Sequence, residues 1–182
     1  MKVVGVVGLP ASGKGEFSKI ATEMGIPVIV MGDRIRDAVE AAGLPRSDIS
    51  LGATATRLRQ EGGMDAIGKL CVPVIRKHNT PLVLVDGIRG DAEVSLFRQE
   101  FPGFVLISIR SSFTNRLLRV AARGRSDDFT SASELHIRDN RELGWGLGKA
   151  LAQADLSIRN DGTLEEFSAA VYQTLETLRR AP

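Results

Sequence analysis

Lys2-Val3-Val4-Gly5-Val6-Val7-Gly8-Leu9-Pro10-Ala11-Ser12-Gly13-Lys14-Gly15-Glu16-Phe17 is the stretch that decides the fold. Val3 to Val7 is a strand-length apolar run, too short for a signal-peptide core, and it turns straight into glycine. Phe17, Ile20, Ala21 and Met24 then recur at i, i+3, i+4 and i+7, the spacing of a helix with one apolar face. Between strand and helix lies Gly8-Leu9-Pro10-Ala11-Ser12-Gly13-Lys14, a GxxxxGK loop. Its glycines let successive backbone N–H groups turn inward, the helix N-terminus adds positive potential, and a lysine at that place reaches the terminal phosphates of a nucleoside triphosphate. Residues Gly8, Leu9, Pro10, Ala11, Ser12, Gly13, Lys14, Gly15 and Glu16 are therefore expected to cradle a nucleoside triphosphate, with Lys14 catalytic.

One position departs from the usual pattern. The residue after the lysine normally supplies a hydroxyl to Mg²⁺, and here it is Gly15, followed by Glu16. Either the metal is held through phosphate oxygens, water and a distant acid, or Glu16 touches it through water. Glu16 also suits a plain helix N-terminus, where an acid is favoured.

Working outward, Pro27–Val30, Leu82–Val85, Phe104–Ile109 and Leu156–Ile158 are further strand-sized apolar runs, separated by segments long enough for crossover helices. That rhythm predicts an α/β fold, a five-stranded parallel sheet with helices on both faces. Ile35, Ala38, Val39 and Ala42 repeat the helical spacing. Thr163-Leu164-Glu165-Glu166 opens a last helix with a capping box, its stripe being Leu164, Phe167, Val171, Leu175 and Leu178. Gly62-Gly63 and Pro73 are expected to break residues 50–78 into two or three short helices. Residues 123–148 read as an irregular cover ending in Gly144-Trp145-Gly146-Leu147-Gly148, or as an ordinary surface excursion.

Composition narrows the class. The 182 residues are 43% hydrophobic and 25% charged, average globular usage that excludes disordered and fibrous chains. A formal net charge of +2 calls for neither a nucleic acid nor an anionic membrane as partner, and no apolar run is long enough to span a bilayer. Cys71, the one cysteine, cannot form an internal disulfide and suits a reducing, cytoplasmic setting. The expected partner is a small-molecule phosphoryl acceptor, with homo-oligomers left open.

Several side chains carry candidate chemistry. Asp86 follows the run Leu82–Val85, so it falls at the carboxyl edge of a buried strand, where α/β folds place ligands and where an acid can hold Mg²⁺ through water. The plain alternative is an Asp-Gly turn. Arg89 is a phosphate clamp or a surface ion pair. Asp33 and Arg36 lie one helical turn apart, Asp33 doubling as a possible N-cap. Arg116, Arg119 and Arg123 fall within about 60° of helical arc and form a row able to face a triphosphate. Glu134, Arg138 and Arg141 read as surface, and Trp145 as packing.

Gly13-Lys14-Gly15 in a loop containing Pro10 resembles the adenylate kinase form of the phosphate loop. Met31-Gly32-Asp33-Arg34-Ile35-Arg36 resembles the Gly-Asp-x-x-Arg segment opening the acceptor helix of nucleoside monophosphate kinases, and Asp86-Gly87-Ile88-Arg89 their Asp-Gly-x-Pro-Arg turn without its proline. Ala154 to Glu166 is similar to the closing strand and helix of dephospho-CoA kinases. Over nearly its whole length the chain is most similar to an archaeal family of P-loop, nucleotide-kinase-like proteins related to both. The resemblance implies a single P-loop domain over residues 1–182 with an acceptor-site helical insert at about 33–78 and a helical lid at about 116–148. It also implies ATP with Mg²⁺ as donor and a kinase activity. In the resembling kinases, arginines at the Arg119 and Arg123 spacing stack on adenine and neutralise the transferring phosphoryl group. Arg36 and Arg89 would bind an acceptor phosphate, as in AMP, whereas Asp33 could instead activate a hydroxyl, as for dephospho-CoA. Met31 departs from both patterns, since it stands where the first group usually has threonine and the second an acid. The reading from a different class is an ATP- or GTP-binding regulatory switch or non-catalytic binder, although no Asn-Lys-x-Asp guanine-reading segment occurs.

Overall fold

The structure of the protein, a computed structural model, describes residues 1–123 and 131–180; the side chain of Arg123, expected in the arginine row, also lies outside the described residues. Five strands, β1 (Lys2–Val7), β2 (Val28–Val30), β3 (Leu82–Ile88), β4 (Val105–Arg110) and β5 (Leu156–Arg159), form one all-parallel sheet in the order β2-β3-β1-β4-β5. The central β1 is covered on both faces, which is why it reads as an unbroken apolar run. Its residues alternate. Val4 and Val6 pack with Phe17 and Ile20 of α1 (Lys14–Glu23) and with Phe167 and Val171 of α9 (Leu164–Arg180). Val3 and Val7 pack on the other side with Phe97 of α5 (Asp91–Glu100), Phe104 and Leu147. Gly5 leaves room for that second layer: a Cβ there would stand 2.5 Å from both Ile88 Cδ1 and Phe104 Cζ.

Between β2 and β3 the chain forms α2 (Met31–Ala41), α3 (Asp48–Gly62) and α4 (Ala66–Ile75). Ser47 caps α3 by accepting from the Ser50 N–H, and Gly63, at φ 92°, stops it as the Gly62-Gly63 pair predicts. Pro73 does not break its helix. It stands on the exposed face of the last turn of α4, where the one backbone bond it removes is lost next to solvent. Between β4 and β5 run α6 (Phe113–Arg123), α7 (Ala132–Gly144) and α8 (Leu147–Ala152). Ser131 and Glu134 form a capping box at α7, and Thr163 and Glu166 form the expected one at α9. Phe167, Val171 and Leu175 are buried as the stripe predicts, but Leu164, the first residue of the helix, stays exposed.

Asp86-Gly87 is not a turn. β3 continues to Ile88 with a bulge: Asp86 pairs with Val6, and Ile88, not Gly87, pairs with Val7. Gly87 takes φ 97°, the left-handed value such a bulge favours. Asp86 is thereby fixed between Val6 of β1 and Val30 of β2, at the sheet end where β1 opens into the loop. Among the described residues no helix is long and apolar enough to cross a membrane.

Candidate functional site

The loop from Gly8 to Gly13 is held from outside. Once a loop turns its N–H groups toward a ligand, its carbonyls face the protein and need donors. Arg116 donates to the Pro10 carbonyl (3.1 Å) and the Asn160 amide to that of Ser12 (2.9 Å). Asn160 in turn receives the Arg119 guanidinium on its carbonyl (2.6 Å) and on its side chain (3.1 Å), and Arg119 also bonds Ser111 Oγ (2.8 Å). Ala11 has φ 59°, the one non-glycine residue with positive φ among the described residues, so the loop stores strain where a ligand would sit. Neither Gly8 nor Gly13 tolerates a side chain. A Cβ on Gly8 would lie 2.9 Å from the Ile109 carbonyl, and one on Gly13, at φ 120°, would lie 2.3 Å from Asn160 Nδ2.

Lys14 is buried and donates to the Gly8 (2.6 Å) and Leu9 (3.0 Å) carbonyls. Burial pulls its pKa down to about 7, with Arg89 adding repulsion against Glu142 and Asp86. Asp86 lines the same cleft, and its Oδ2 accepts from Ser18 Oγ at 2.9 Å. Glu16 lines it as well, with its carboxylate 3.7 Å from Lys19 Nζ. The oxygen donors Asp86 and Glu16 suit a hard cation such as Mg²⁺. Among the described residues no group of three or more His, Cys, Asp or Glu side chains forms a cage, so phosphate oxygens and water would have to complete the shell.

The arginine row divides. Arg119 lines the loop cleft, but Arg116 does not face a triphosphate: it is buried, bound bidentately to Asp139 (2.9 and 2.7 Å) and to the outside of the loop. Asp139, about two turns into α7, captures it because a buried guanidinium needs a carboxylate. Asp161 fixes the start of α6 by accepting from the Ser112 N–H (2.7 Å), a bond that holds its carboxyl at about 2.

A second cleft adjoins the first, and Arg36, Arg89 and Arg138 line both. Its far wall is apolar, with Met31, Ile35, Leu51, Ala55 and Ile67, and Trp145 closes one side. Five arginines line it against two carboxylates, Asp48 and Glu142. Arg89 is ion-paired with Glu142, and Arg138 reaches Glu142 (3.3 Å) and Asp48 (3.4 Å). Arg141 holds Asp48 through two bonds (3.0 and 2.9 Å). Burial alone would raise the Glu142 carboxyl, but Arg89, Arg138 and Lys14 together hold it below its ordinary range. Deeper in, Arg59 pairs with the fully buried Glu93 (2.9 Å) and lies 4.3 Å over the Trp145 ring; there burial outweighs Arg59 and raises the Glu93 carboxyl. Arg138 and Arg141 are thus cleft residues, not surface ones, because Asp48, across the cleft on α3, pairs with both. Asp33 is in the first turn of α2 rather than at its cap, is bonded to Arg36 (2.5 Å) and lines neither cleft. The inward stripe of α7, Leu135, Asp139 and Glu142, carried a readable signal: two acids where helical spacing calls for apolar residues. Ser18, Asp48 and Asn160 carried none.

A family profile described as "AAA domain" matches residues 7–136. A "UPF0200 protein" of Methanoregula boonei is 61% identical over 182 residues, covering the whole of both chains, and one of Methanoculleus marisnigri is 57% identical over 96% of each. The chain belongs to this archaeal UPF0200 family and carries its P-loop domain. Among solved structures, TT1252 from Thermus thermophilus superposes with a TM-score of 0.67 at 17% identity over 97% of both chains. A shikimate kinase from Bacteroides thetaiotaomicron gives 0.64 at 14% identity over 98% of both, and a gluconokinase from Sinorhizobium meliloti 0.58 at 19% over 97% of this chain and 95% of that one. The shared feature is the P-loop kinase fold.

Proposed function

We propose that this UPF0200 protein is an ATP-dependent phosphotransferase whose acceptor is a small phosphate-bearing molecule, a nucleoside monophosphate or a close relative. The observation that carries this reading is the pair of adjoining clefts with Arg36, Arg89 and Arg138 on their shared border. Residues 8–16 would hold the donor phosphates, Lys14 leaving its two carbonyls for the terminal ones. Mg²⁺, when bound, offsets phosphate charge, and Asp86 would hold it through water, with Glu16 as a second acid. Arg119 stands beside the loop for the donor base.

In-line transfer breaks the bond from the γ-phosphorus to its bridging oxygen, ADP leaving with the electron pair, and makes a bond to an acceptor oxygen. An acceptor phosphate oxygen is already anionic at neutral pH, so it needs no general base. That suits Asp33, which is engaged by Arg36, and weighs against a hydroxyl acceptor such as dephospho-CoA. The border arginines would stabilise charge on the transferring group, while Trp145 and the apolar wall receive the acceptor's planar body. Helices α2–α4 would then serve as acceptor-site insert, and α6–α7 as the lid that excludes water. Cys71, buried as a free thiol, supports a cytoplasmic setting.

Single-turnover assays with γ-labelled ATP, Mg²⁺ and a panel of nucleoside monophosphates and dephospho-CoA test the reading. The label is expected on a monophosphate, with Asp33→Asn leaving kcat within about twofold and Arg36→Ala raising the acceptor KM. Release of inorganic phosphate alone, stimulated only by a protein or nucleic acid, would establish the switch instead.

A further inference from the structure

We infer that Ser18 is a positioning residue that replaces the hydroxyl missing at Gly15, holding the Asp86 carboxylate for the water shell of a nucleotide-bound metal. The inference rests on the donor site proposed above. Gly15 leaves an open place, since a Cβ there would meet nothing within 4 Å. One turn further along α1, Ser18 Oγ donates to Asp86 Oδ2 at 2.9 Å, across 68 residues of sequence.

The choice of partner is informative. A hydroxyl inside a helix has a local acceptor, the carbonyl four residues back. Thr22, Thr56, Ser95, Thr174 and Thr177 all take it. Ser18 instead reaches across to the sheet. Its target lies between Val6 and Val30 in register, beside the bulge at Gly87, and lines the cleft with Lys14 and Gly15. A proton donated to one carboxylate oxygen fixes the rotation of the group and leaves acceptor capacity for a metal-bound water. In the usual loop a hydroxyl directly after the lysine ligates the metal itself. Here the hydroxyl has moved one turn along the helix and acts through the acid.

The test separates metal from nucleotide. ATP binding is measured by calorimetry in EDTA and in MgCl₂, and Mn²⁺ binding to the protein–ATP complex by EPR, for the full chain and its variants. Ser18→Ala should bind ATP in EDTA as the parent does but lose about tenfold in Mn²⁺ affinity for the complex, with a matching fall in the Mg²⁺-dependent gain in ATP affinity. Ser18→Thr should retain the parent value, and Gly15→Ser placed in the Ser18→Ala background should recover most of the loss. Parent-like Mn²⁺ affinity in folded Ser18→Ala overturns the inference while leaving the donor site intact. Should Ser18→Ala not fold, the Gly15→Ser, Ser18→Ala chain decides: Mn²⁺ affinity well below that of the parent, in a folded protein that binds ATP, overturns the transfer of the hydroxyl's duty. Absence of ATP binding by the parent under both conditions removes the donor site itself, and this inference with it.

Discussion

The phosphate cradle is one run of chain, residues 8–16, whereas the adjoining cleft draws Arg36 from α2, Asp48 from α3, Arg89 from just past β3 and Arg138, Arg141 and Glu142 from α7. In the first, spacing alone places the lysine, because a strand, a glycine turn and a helix allow one path. The second is held together by ion pairs that join residues 53 and 93 positions apart. The cradle can be lost at the loop itself or at Arg116 and Asn160, which hold its carbonyls. The dispersed cleft can be lost at any of four elements, and its charges are buried enough for that loss to reach the fold.

The largest expected effect falls on the contiguous side. Lys14→Ala should lower kcat/KM for phosphoryl transfer by about a thousandfold or more in steady-state assays, since the terminal phosphates lose their one loop cation. A change under tenfold would mean the cradle is not the donor site. Next in size, Glu142→Gln leaves Arg89 and Arg138 short of a buried counter-charge and should cost about 3 kcal/mol in urea unfolding, while Asp33→Asn, in a half-exposed pair, should change stability by less than about 0.5 kcal/mol. Equal effects would erase the contrast between the two kinds of pairing.

The smallest effect is the pH dependence set by Lys14. Its folded pKa of about 7 is below the 10.5 of a lysine in water, so above pH 7 the unfolded chain binds the extra proton and stability rises with pH. Between pH 7 and 8.5 the gain should be about 1–2 kcal/mol, and Lys14→Met should flatten it. From about pH 9 Cys71 opposes this gain, because burial pushes its thiol up to about 12 and the folded state keeps a proton that the unfolded chain loses; the two contributions offset one another around pH 10, and above about pH 10.5 stability falls with pH. A flat profile from pH 7 to 8.5 in the parent would place the lysine amine in water rather than against the loop carbonyls.

How much was legible follows the same division. The strands, the capping boxes at α7 and α9, and the stop at Gly63 reflect local spacing and cap chemistry, the α7 box alone lacking the apolar stripe that makes the α9 box stand out. Pro73 misled because its cost depends on which face of a helix it occupies, whereas Asp86 stands at the strand end as read, and of its alternatives the Asp-Gly turn is replaced by a bulge. Arg116 shows the limit most plainly: its spacing matches Arg119, but Asp139 and the Pro10 carbonyl turn it to the outside of the loop.

From the sequence alone, the chain's α/β order, its phosphate loop and the lysine within it were determined, because periodicity and glycine turns act over a few residues. Only the tertiary structure decided that Ser18 meets Asp86, that Asn160 and Arg116 hold the loop's carbonyls, and that α7 supplies the charged wall of the second cleft. Those partners are chosen by burial. A charge or hydroxyl removed from water takes whichever opposite group the packed sheet and helices bring within reach, and sequence separation has no bearing on that distance.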